Sequence, residues 1–185
     1  MKRLADFLFE GHLLKHLQRT GYPYLGVGKE SVAEHSFMTA FIAWVLSHMV
    51  PEVDRERLIT MCLVHDLPEA RIGDLNAVQK RYVRADEAAA VADAASDLTF
   101  GSAYQSLIEE FNAGETIVAK LARDADQLAL VVDLKALSDR GYRTPEKWQP
   151  HVTNKLQTEP GKALAKAVAC REFDSWWLDS FQDPD

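Results

Sequence analysis

Residues 31–51 read SVAEHSFMTAFIAWVLSHMVP, and both ends of this run carry the signals of one long helix. Ser31 and Glu34 have the spacing of a capping box, in which the serine caps the first turn and the glutamate reaches back to it. Pro51 predicts that the helix ends at about Met49, since proline disfavours the helical conformation of the residue before it.

The apolar residues of this helix follow helical spacing, at Met38, Ile42, Val45 and Met49. His35 comes one turn before this stripe, so we expect its imidazole to point toward the core. A later helix, over about residues 54–66, has one apolar face formed by Leu58, Met61 and Cys62. His65 continues that face by one turn and is followed at once by Asp66. Two histidines from separate helices are therefore predicted to meet in the interior.

A carboxylate beside these histidines is unfavourable in the interior unless it is paired, protonated or bound to a cation. Imidazole nitrogens and carboxylate oxygens suit a first-row divalent metal ion. Taken singly, His35 is better explained as a hydrogen-bonded core histidine and Asp66 as a helix-end carboxylate. Taken together with His65, and with the acids Glu69 and Asp74 that follow, they favour a metal site. Glu69 lies four residues after His65, on the same face if the helical path continues.

Helical spacing recurs along residues 1–185, while alternating strand patterns are nearly absent. The sequence therefore predicts a single all-α domain of about seven or eight helices. Residues 141–160 are expected to begin as a loop, because they contain Pro145 and Pro150. A last helix is expected over about residues 161–181.

The composition, with 47% hydrophobic and 26% charged residues, is that of an ordinary soluble globular protein. The net charge of −7 argues against a protein that binds nucleic acid polymers through their phosphates. The most apolar run, residues 37–46, is shorter than the roughly 20 residues of a membrane-spanning helix. Cys62 and Cys170 form no disulfide framework. We expect a cytoplasmic protein with no membrane partner and an acidic tail at residues 182–185.

Three separated stretches carry a resemblance to a known family: Arg19-Thr20-Gly21-Tyr22, residues 30–36, and His65-Asp66 with Glu69 and Gly73-Asp74-Leu75. Together they resemble the HD-domain superfamily of metal-dependent phosphohydrolases. Within it, they are similar to the bacterial 5′-deoxynucleotidase and related archaeal and eukaryotic proteins. The resemblance covers about residues 4–140, and it implies an all-α HD domain with a metal-binding core at about residues 30–140.

The resemblance implies one divalent metal ion, held by His35, His65, Asp66 and a fourth ligand on a long helix. Asp126 matches the fourth position, in the segment Arg123-Asp124-Ala125-Asp126-Gln127-Leu128. Asp124 is its nearest rival, and Asp133 lies further along the same helix. We favour Asp126 because alanines flank it at helical spacing, whereas Asp124 could form a surface pair with Lys120. The ligand set admits Mn, Fe, Co, Ni or Zn.

The resemblance also implies a reaction, the hydrolysis of a (deoxy)nucleoside 5′-monophosphate. Glu69 and Asp74 match the family's catalytic acids, and Arg19 and Tyr22 match residues that contact phosphate and sugar. The family usually has tryptophan at the position of Tyr22, so the preference for a deoxy sugar stays open. A homodimer is expected from the same resemblance. The alternatives are hydrolysis of another phosphomonoester or of a nucleotide diester, or a non-catalytic nucleotide-binding module.

Overall fold

The computed structural model describes residues 1–181, so the predicted acidic tail at 182–185 lies outside the described residues. The described chain contains eleven α-helices, two short 3-10 segments and no strands, which confirms the all-α prediction. The helices are α1 (Lys2–Leu13), α2 (Tyr22–Leu25), α3 (Val32–Met49), α4 (Arg55–Val64), α5 (Glu69–Ile72), α6 (Glu87–Ala95), α7 (Gly101–Ala113), α8 (Ile117–Asp139), α9 (Arg143–Thr153), α10 (Glu159–Ala169) and α11 (Ser175–Leu178). This number is slightly above the predicted seven or eight because α2, α5 and α11 are single turns.

Helix α3 begins as the sequence predicts. The Ser31 hydroxyl accepts a hydrogen bond from the Glu34 backbone N–H at 3.2 Å, and the Glu34 carboxylate accepts one from the Ser31 N–H at 2.6 Å. The predicted apolar stripe is partly wrong, because Met49 is 44% exposed and lies outside the core. The buried face is instead formed by Val32, His35, Ser36, Thr39, Ile42, Ala43, Leu46 and Ser47. This face is shifted because α3 packs against α4 and α8 together, where small side chains allow close approach.

The central core lies where α3, α4 and α8 meet. Leu58, Met61 and Cys62 of α4 are fully buried, as their spacing predicts. They pack on a face of α8 that is rich in alanine, formed by Ala119, Ala122, Ala125 and Ala129. Because alanine side chains are short, the polar groups carried by these three helices are brought close to one another inside the bundle.

The predicted loop at the beginning of residues 141–160 is wrong, because α9 already begins at Arg143 and continues to Thr153. Pro145 lies in the first turn of α9, where a backbone N–H has no partner within the helix. Pro150 lies inside the helix, and burial of Val152 against α8 offsets the hydrogen bond that this proline removes. Packing against α8 therefore overrides the local signal of the prolines.

The predicted single helix over residues 161–181 is also wrong, since α10 ends at Ala169 and α11 follows after a turn. The turn is fixed to the end of α8. The Phe173 N–H donates to Asp139 at 2.9 Å, and the Arg140 guanidinium lies over the Phe173 ring at 4.7 Å. These contacts redirect the chain away from a straight helix.

The outer face of α3 exposes large apolar side chains. Phe37, Phe41 and Trp44 are 64%, 49% and 48% exposed, and they form a row of contacting rings along the helix. Despite this surface, no helix within residues 1–181 combines the length and the apolar character needed to cross a membrane.

Candidate metal centre

His35 and His65 meet at the centre of the bundle, opposite Asp126 of α8. Their relative exposures are 0% and 5%, so both predicted inward-pointing imidazoles are buried. His35, His65 and Asp126 each offer one ligand atom, and these atoms all lie within 4.8 Å of one another. The His35 Nε2 atom lies 2.9 Å from the Asp126 Oδ1 atom. Three groups, from α3, the end of α4 and α8, thus form a cluster that could hold a metal ion.

The hydrogen bonds of His65 orient one ring nitrogen toward this cluster. Its Nδ1 atom lies 2.8 Å from the Cys62 carbonyl oxygen, which can only accept, so Nδ1 carries the proton. In the neutral imidazole the other nitrogen, Nε2, then bears a lone pair, and it is buried without a hydrogen-bond partner. A buried lone pair that faces carboxylates is an unsatisfied acceptor, and a divalent cation satisfies it. The residues present therefore fit a metal ion.

Asp66 lies at the same point, directly after α4 ends. Its Oδ1 atom is 3.3 Å from His65 Nε2 and its Oδ2 atom is 3.7 Å from His35 Nε2. The second oxygen also accepts a hydrogen bond from Arg19 at 3.1 Å. The structure therefore brings the four predicted metal-ligating residues together, with one guanidinium beside them.

The charges of this cluster are strongly coupled. Burial opposes ionisation of Asp126, but the hydrogen bond from His35 and the charges of His35 and Arg19 hold its pKa below the usual range. Burial likewise lowers the pKa of His35, and the contacts with Asp126 and Asp66 outweigh this and raise it. Without a cation, the cluster therefore favours a protonated His35 beside an ionised Asp126.

Asp124, the rival of Asp126, has a different environment. Its carboxylate is fully buried and accepts hydrogen bonds from the Gln157 N–H at 2.8 Å, the Thr158 N–H at 2.8 Å and the Thr158 hydroxyl at 2.6 Å. A Cβ atom at Gly161 would lie only 2.3 Å from this carboxylate, so glycine is needed there. Through these hydrogen bonds Asp124 links the start of α10 to α8, and it lies outside the histidine cluster.

Glu69 opens α5, one turn after His65. Its N–H donates to the Asp66 carbonyl at 3.0 Å, so the chain keeps turning through Pro68 and places Glu69 on the side of the histidine. The Glu69 Oε2 atom is buried without a hydrogen-bond partner. Burial raises the pKa of Glu69 to about 9, with the charges of Asp66 and Asp74 adding to the effect. This carboxyl group therefore holds a proton at neutral pH in the metal-free protein.

Asp74 follows Gly73, whose φ of +78° lies in the left-handed region and turns the chain back toward the site. Its Oδ2 atom accepts hydrogen bonds from the backbone N–H of Thr20 and from the Thr20 hydroxyl, the latter at 2.7 Å. Its Oδ1 atom lies 3.5 Å from Arg19. Asp74 thus lines the site and also fixes the segment that carries Arg19.

Arg19 and Tyr22 reach the site through a segment that runs beside the start of α3. The Arg19 N–H donates to the Glu30 carbonyl at 2.8 Å, next to an isolated antiparallel bridge between Gln18 and Ser31. Tyr22 is only 5% exposed. Its hydroxyl donates to Asp133, and it also lies 3.2 Å from Glu30 Oε2. The tyrosine hydroxyl is therefore engaged within the protein, and its ring forms part of the wall.

A cavity of about 340 Å³ opens beside the histidine cluster and is lined by all the predicted site residues except His35, which lies behind the wall. It has further lining residues that sequence reasoning missed, namely Glu30, Leu75, Lys80, Leu130, Trp148 and Lys155. No periodic spacing links these residues, since they come from four separate segments. Only Glu30 and Leu75 carried a signal, because they belong to the quoted motifs around His35 and after His65.

The helical bundle and the paired histidines and acids define the class of this protein. The family model of the HD domain matches residues 12–168, and the chain therefore belongs to the HD-domain family. The chain is 26% identical over 169 residues to the 5′-deoxynucleotidase HDDC2 of Danio rerio, across 88% of this chain and 75% of that protein. It is 25% identical over 148 residues to the Homo sapiens protein of the same name, across 77% and 72% of the two chains.

Solved structures share the fold over nearly their whole length. A conserved hypothetical protein from Pyrococcus furiosus superposes with a TM-score of 0.77 at 26% identity, covering 90% of this chain and 99% of that chain. A predicted metal-dependent phosphohydrolase from Magnetospirillum magnetotacticum superposes with a TM-score of 0.71 at 23% identity, covering 91% and 90%. The second similarity is one of fold alone.

Proposed function

We propose that this protein is a metal-dependent phosphohydrolase that removes the 5′-phosphate from deoxynucleoside monophosphates. The observation that carries the proposal is the buried, unpartnered Nε2 atom of His65, which faces His35, Asp66 and Asp126 beside an open cavity. The names of the HDDC2 relatives support the substrate class.

His35, His65, Asp66 and Asp126 would together hold one divalent ion. Two nitrogens and two carboxylates suit Mn, Fe, Co, Ni or Zn and disfavour ions that prefer only oxygen ligands. When bound, such an ion neutralises phosphate charge and makes a water molecule more nucleophilic. The surrounding carboxylates otherwise repel a phosphate group, so a cation at this point is needed for the substrate to enter.

Arg19 would position the phosphate. Its guanidinium is the cation nearest the cluster, 3.1 Å from Asp66 and 3.5 Å from Asp74, and its planar donors match phosphate oxygens. Lys80 and Lys155 add positive charge to the cavity wall. These three groups supply the local positive charge that an acidic protein needs to bind an anionic substrate.

Glu69 and Asp74 would handle the two protons of the hydrolysis. One proton leaves the attacking water, and one reaches the 5′-oxygen of the departing nucleoside. The Oε2 atom of Glu69 supports this role, because it has no hydrogen-bond partner in the protein and can contact water or substrate without breaking an existing hydrogen bond. The Oδ2 atom of Asp74 accepts a hydrogen bond from Thr20. Only Oδ1, which faces Arg19, is therefore available for proton transfer.

The nucleoside would occupy the apolar side of the cavity. The apolar part of the cavity lining includes Leu75, Leu130, Trp148 and the Tyr22 ring. An aromatic ring and aliphatic side chains can stack on a base, which has an apolar face. Tyr22 would contribute its ring, since its hydroxyl is already bound to Asp133.

Two further parts of the proposal concern assembly and location. We place the protein in the cytoplasm as a homodimer, with the exposed row of Phe37, Phe41 and Trp44 on α3 as the contact face. Contiguous exposed rings of this kind are typical of protein interfaces. A monomer in light scattering at micromolar concentration would remove the dimer from the proposal.

Phosphate release from a panel of nucleoside monophosphates tests the activity directly. The protein is stripped with chelator, and Mn, Co, Mg or Zn is added back. We expect activity on deoxynucleoside monophosphates to return with a transition metal, and Asp66→Ala to lose both bound metal and turnover. Activity on diesters or on other phosphomonoesters alone would reassign the substrate. Nucleotide binding without turnover under every metal would mean a binding module.

A further inference from the structure

The second nitrogen of His35 has no hydrogen-bond partner. Nε2 faces Asp126 at 2.9 Å, while Nδ1, on the opposite side of the ring, is buried and unpartnered. A buried polar nitrogen without a partner is unusual in a folded protein. The acceptor that faces it is the Glu30 carboxylate, whose Oε2 atom lies 3.7 Å away.

The chemistry of an imidazole ligand decides what Nδ1 needs. If Nε2 binds a cation, the neutral ring must carry its proton on Nδ1, and that N–H then requires an acceptor. His65 already satisfies this requirement, because its Nδ1 atom donates to the Cys62 carbonyl at 2.8 Å. For His35, the carboxylate of Glu30 holds the corresponding place, just beyond hydrogen-bond distance.

The surroundings of Glu30 limit where its side chain can lie. Its backbone carbonyl accepts the Arg19 N–H at 2.8 Å, and its Oε2 atom lies 3.2 Å from the Tyr22 hydroxyl. That hydroxyl has one proton, which it donates to Asp133. The Glu30 side chain is 13% exposed, so water gives it little freedom to turn elsewhere. Oε2 therefore remains free to accept the Nδ1–H of His35 after a small rotation.

We propose that Glu30 is a positioning residue that accepts the Nδ1–H of His35 and so fixes this histidine as a ligand through Nε2. The inference rests on the metal site of the proposed function, but it does not depend on which phosphate ester is cleaved. A partner of this kind behind a histidine ligand strengthens metal binding, and its loss typically weakens affinity about 10- to 100-fold.

The test compares Glu30→Ala with Glu34→Ala, a matched control four residues further along the same segment. Glu34 forms the capping box of α3 and points to solvent, so its loss affects helix stability without touching the cluster. Zn²⁺ affinity is measured for the purified, metal-stripped full chain by competition with a chromophoric chelator. We expect Zn²⁺ affinity to fall about 10- to 100-fold in Glu30→Ala and less than threefold in Glu34→Ala. Equal affinities for the two variants would overturn the proposal.

A second variant and a spectroscopic signature cover the case in which Glu30→Ala does not fold. Glu30→Gln keeps the shape and offers a weaker neutral acceptor, so we expect an intermediate loss of Zn²⁺ affinity. In the Zn²⁺-loaded wild type, proton NMR should show a slowly exchanging imidazole N–H from His35 that moves upfield in Glu30→Gln. An unmoved signal with unchanged affinity would refute the proposal. If the wild type binds Zn²⁺ but cleaves no nucleotide, only the proposed function fails.

Discussion

Two aspartates of α8 are two residues apart in the sequence, and we expect their substitution to change different properties of the protein. Asp126 faces His35 at 2.9 Å, whereas Asp124 accepts three hydrogen bonds from residues 157 and 158 at the start of α10. The substitutions Asp124→Asn and Asp126→Asn remove the same charge and keep the same shape. We therefore predict that the first lowers the stability of the fold and that the second removes the metal.

The size of the first effect follows from the contacts of Asp124. An asparagine oxygen can still accept from Thr158, but its amide N–H₂ then faces the Gln157 N–H, donor against donor. One buried donor loses its partner and two hydrogen bonds lose their charge, which costs about 3 kcal/mol. For a chain of this size, that corresponds to a fall in Tm of roughly 6–12 °C.

The loss of metal binding in Asp126→Asn is measured by the change in Tm when a metal ion is added. A metal ion at 100 times its Kd stabilises the folded state by about 2.7 kcal/mol, or roughly 5–10 °C in Tm. We expect the metal-stripped wild type and Asp124→Asn to gain this increment on adding Zn²⁺, each from its own starting Tm. Asp126→Asn should gain none. Thermal melts with and without Zn²⁺ measure both quantities, and an increment that is lost in Asp124→Asn but kept in Asp126→Asn would refute the assignment.

Four further predictions concern the metal cluster and the cavity beside it. Glu69→Gln should keep the bound metal, measured by elemental analysis, and lower kcat about 100-fold or more; an unchanged kcat removes Glu69 from the mechanism. The pKa of Glu69 in the folded state is raised to about 9. The free energy of unfolding of the metal-free wild type should therefore fall as pH rises from about 5 to 9, by at most about 1.4 kcal/mol per pH unit. Glu69→Gln should lack this slope in chemical denaturation, and the same slope in both proteins would contradict the raised pKa. Metal affinity should fall up to tenfold per pH unit below the raised pKa of His35, since the ion must displace a proton there; pH-independent affinity in chelator competition would contradict this. Trp148→Ala should raise KM for dAMP at least tenfold more than KM for deoxyribose 5-phosphate, and an equal change for both would remove the base contact.

The parts of the fold with strong local signals could be predicted. The capping box of α3 and the inward direction of His35 and His65 follow from spacing within single helices. The helix α9 could not be predicted in this way, because Pro145 and Pro150 signal a loop locally and packing against α8 decides the outcome. Local sequence patterns do not predict the stabilisation that a segment gains by packing against a distant helix.

In the candidate site, too, some features follow from local sequence and others require the fold. Asp124 and Asp126 are both acids on one helix, and only the distant start of α10 separates their environments. The contact between Glu30 and Tyr22 and the place of Trp148 in the cavity wall also require the fold, because each joins segments far apart in the chain. Spacing therefore identifies candidate ligands, while tertiary structure assigns each its surroundings.

We infer that one cation binds where the two buried histidines meet two aspartates. The most direct measurement is a crystal structure of the protein grown with Zn²⁺, with anomalous data collected on both sides of the zinc edge. We expect a single strong anomalous peak within about 2.0–2.2 Å of His35 Nε2, His65 Nε2 and carboxylate oxygens of Asp66 and Asp126. A peak elsewhere, or none at these four side chains in zinc-saturated crystals, would contradict it.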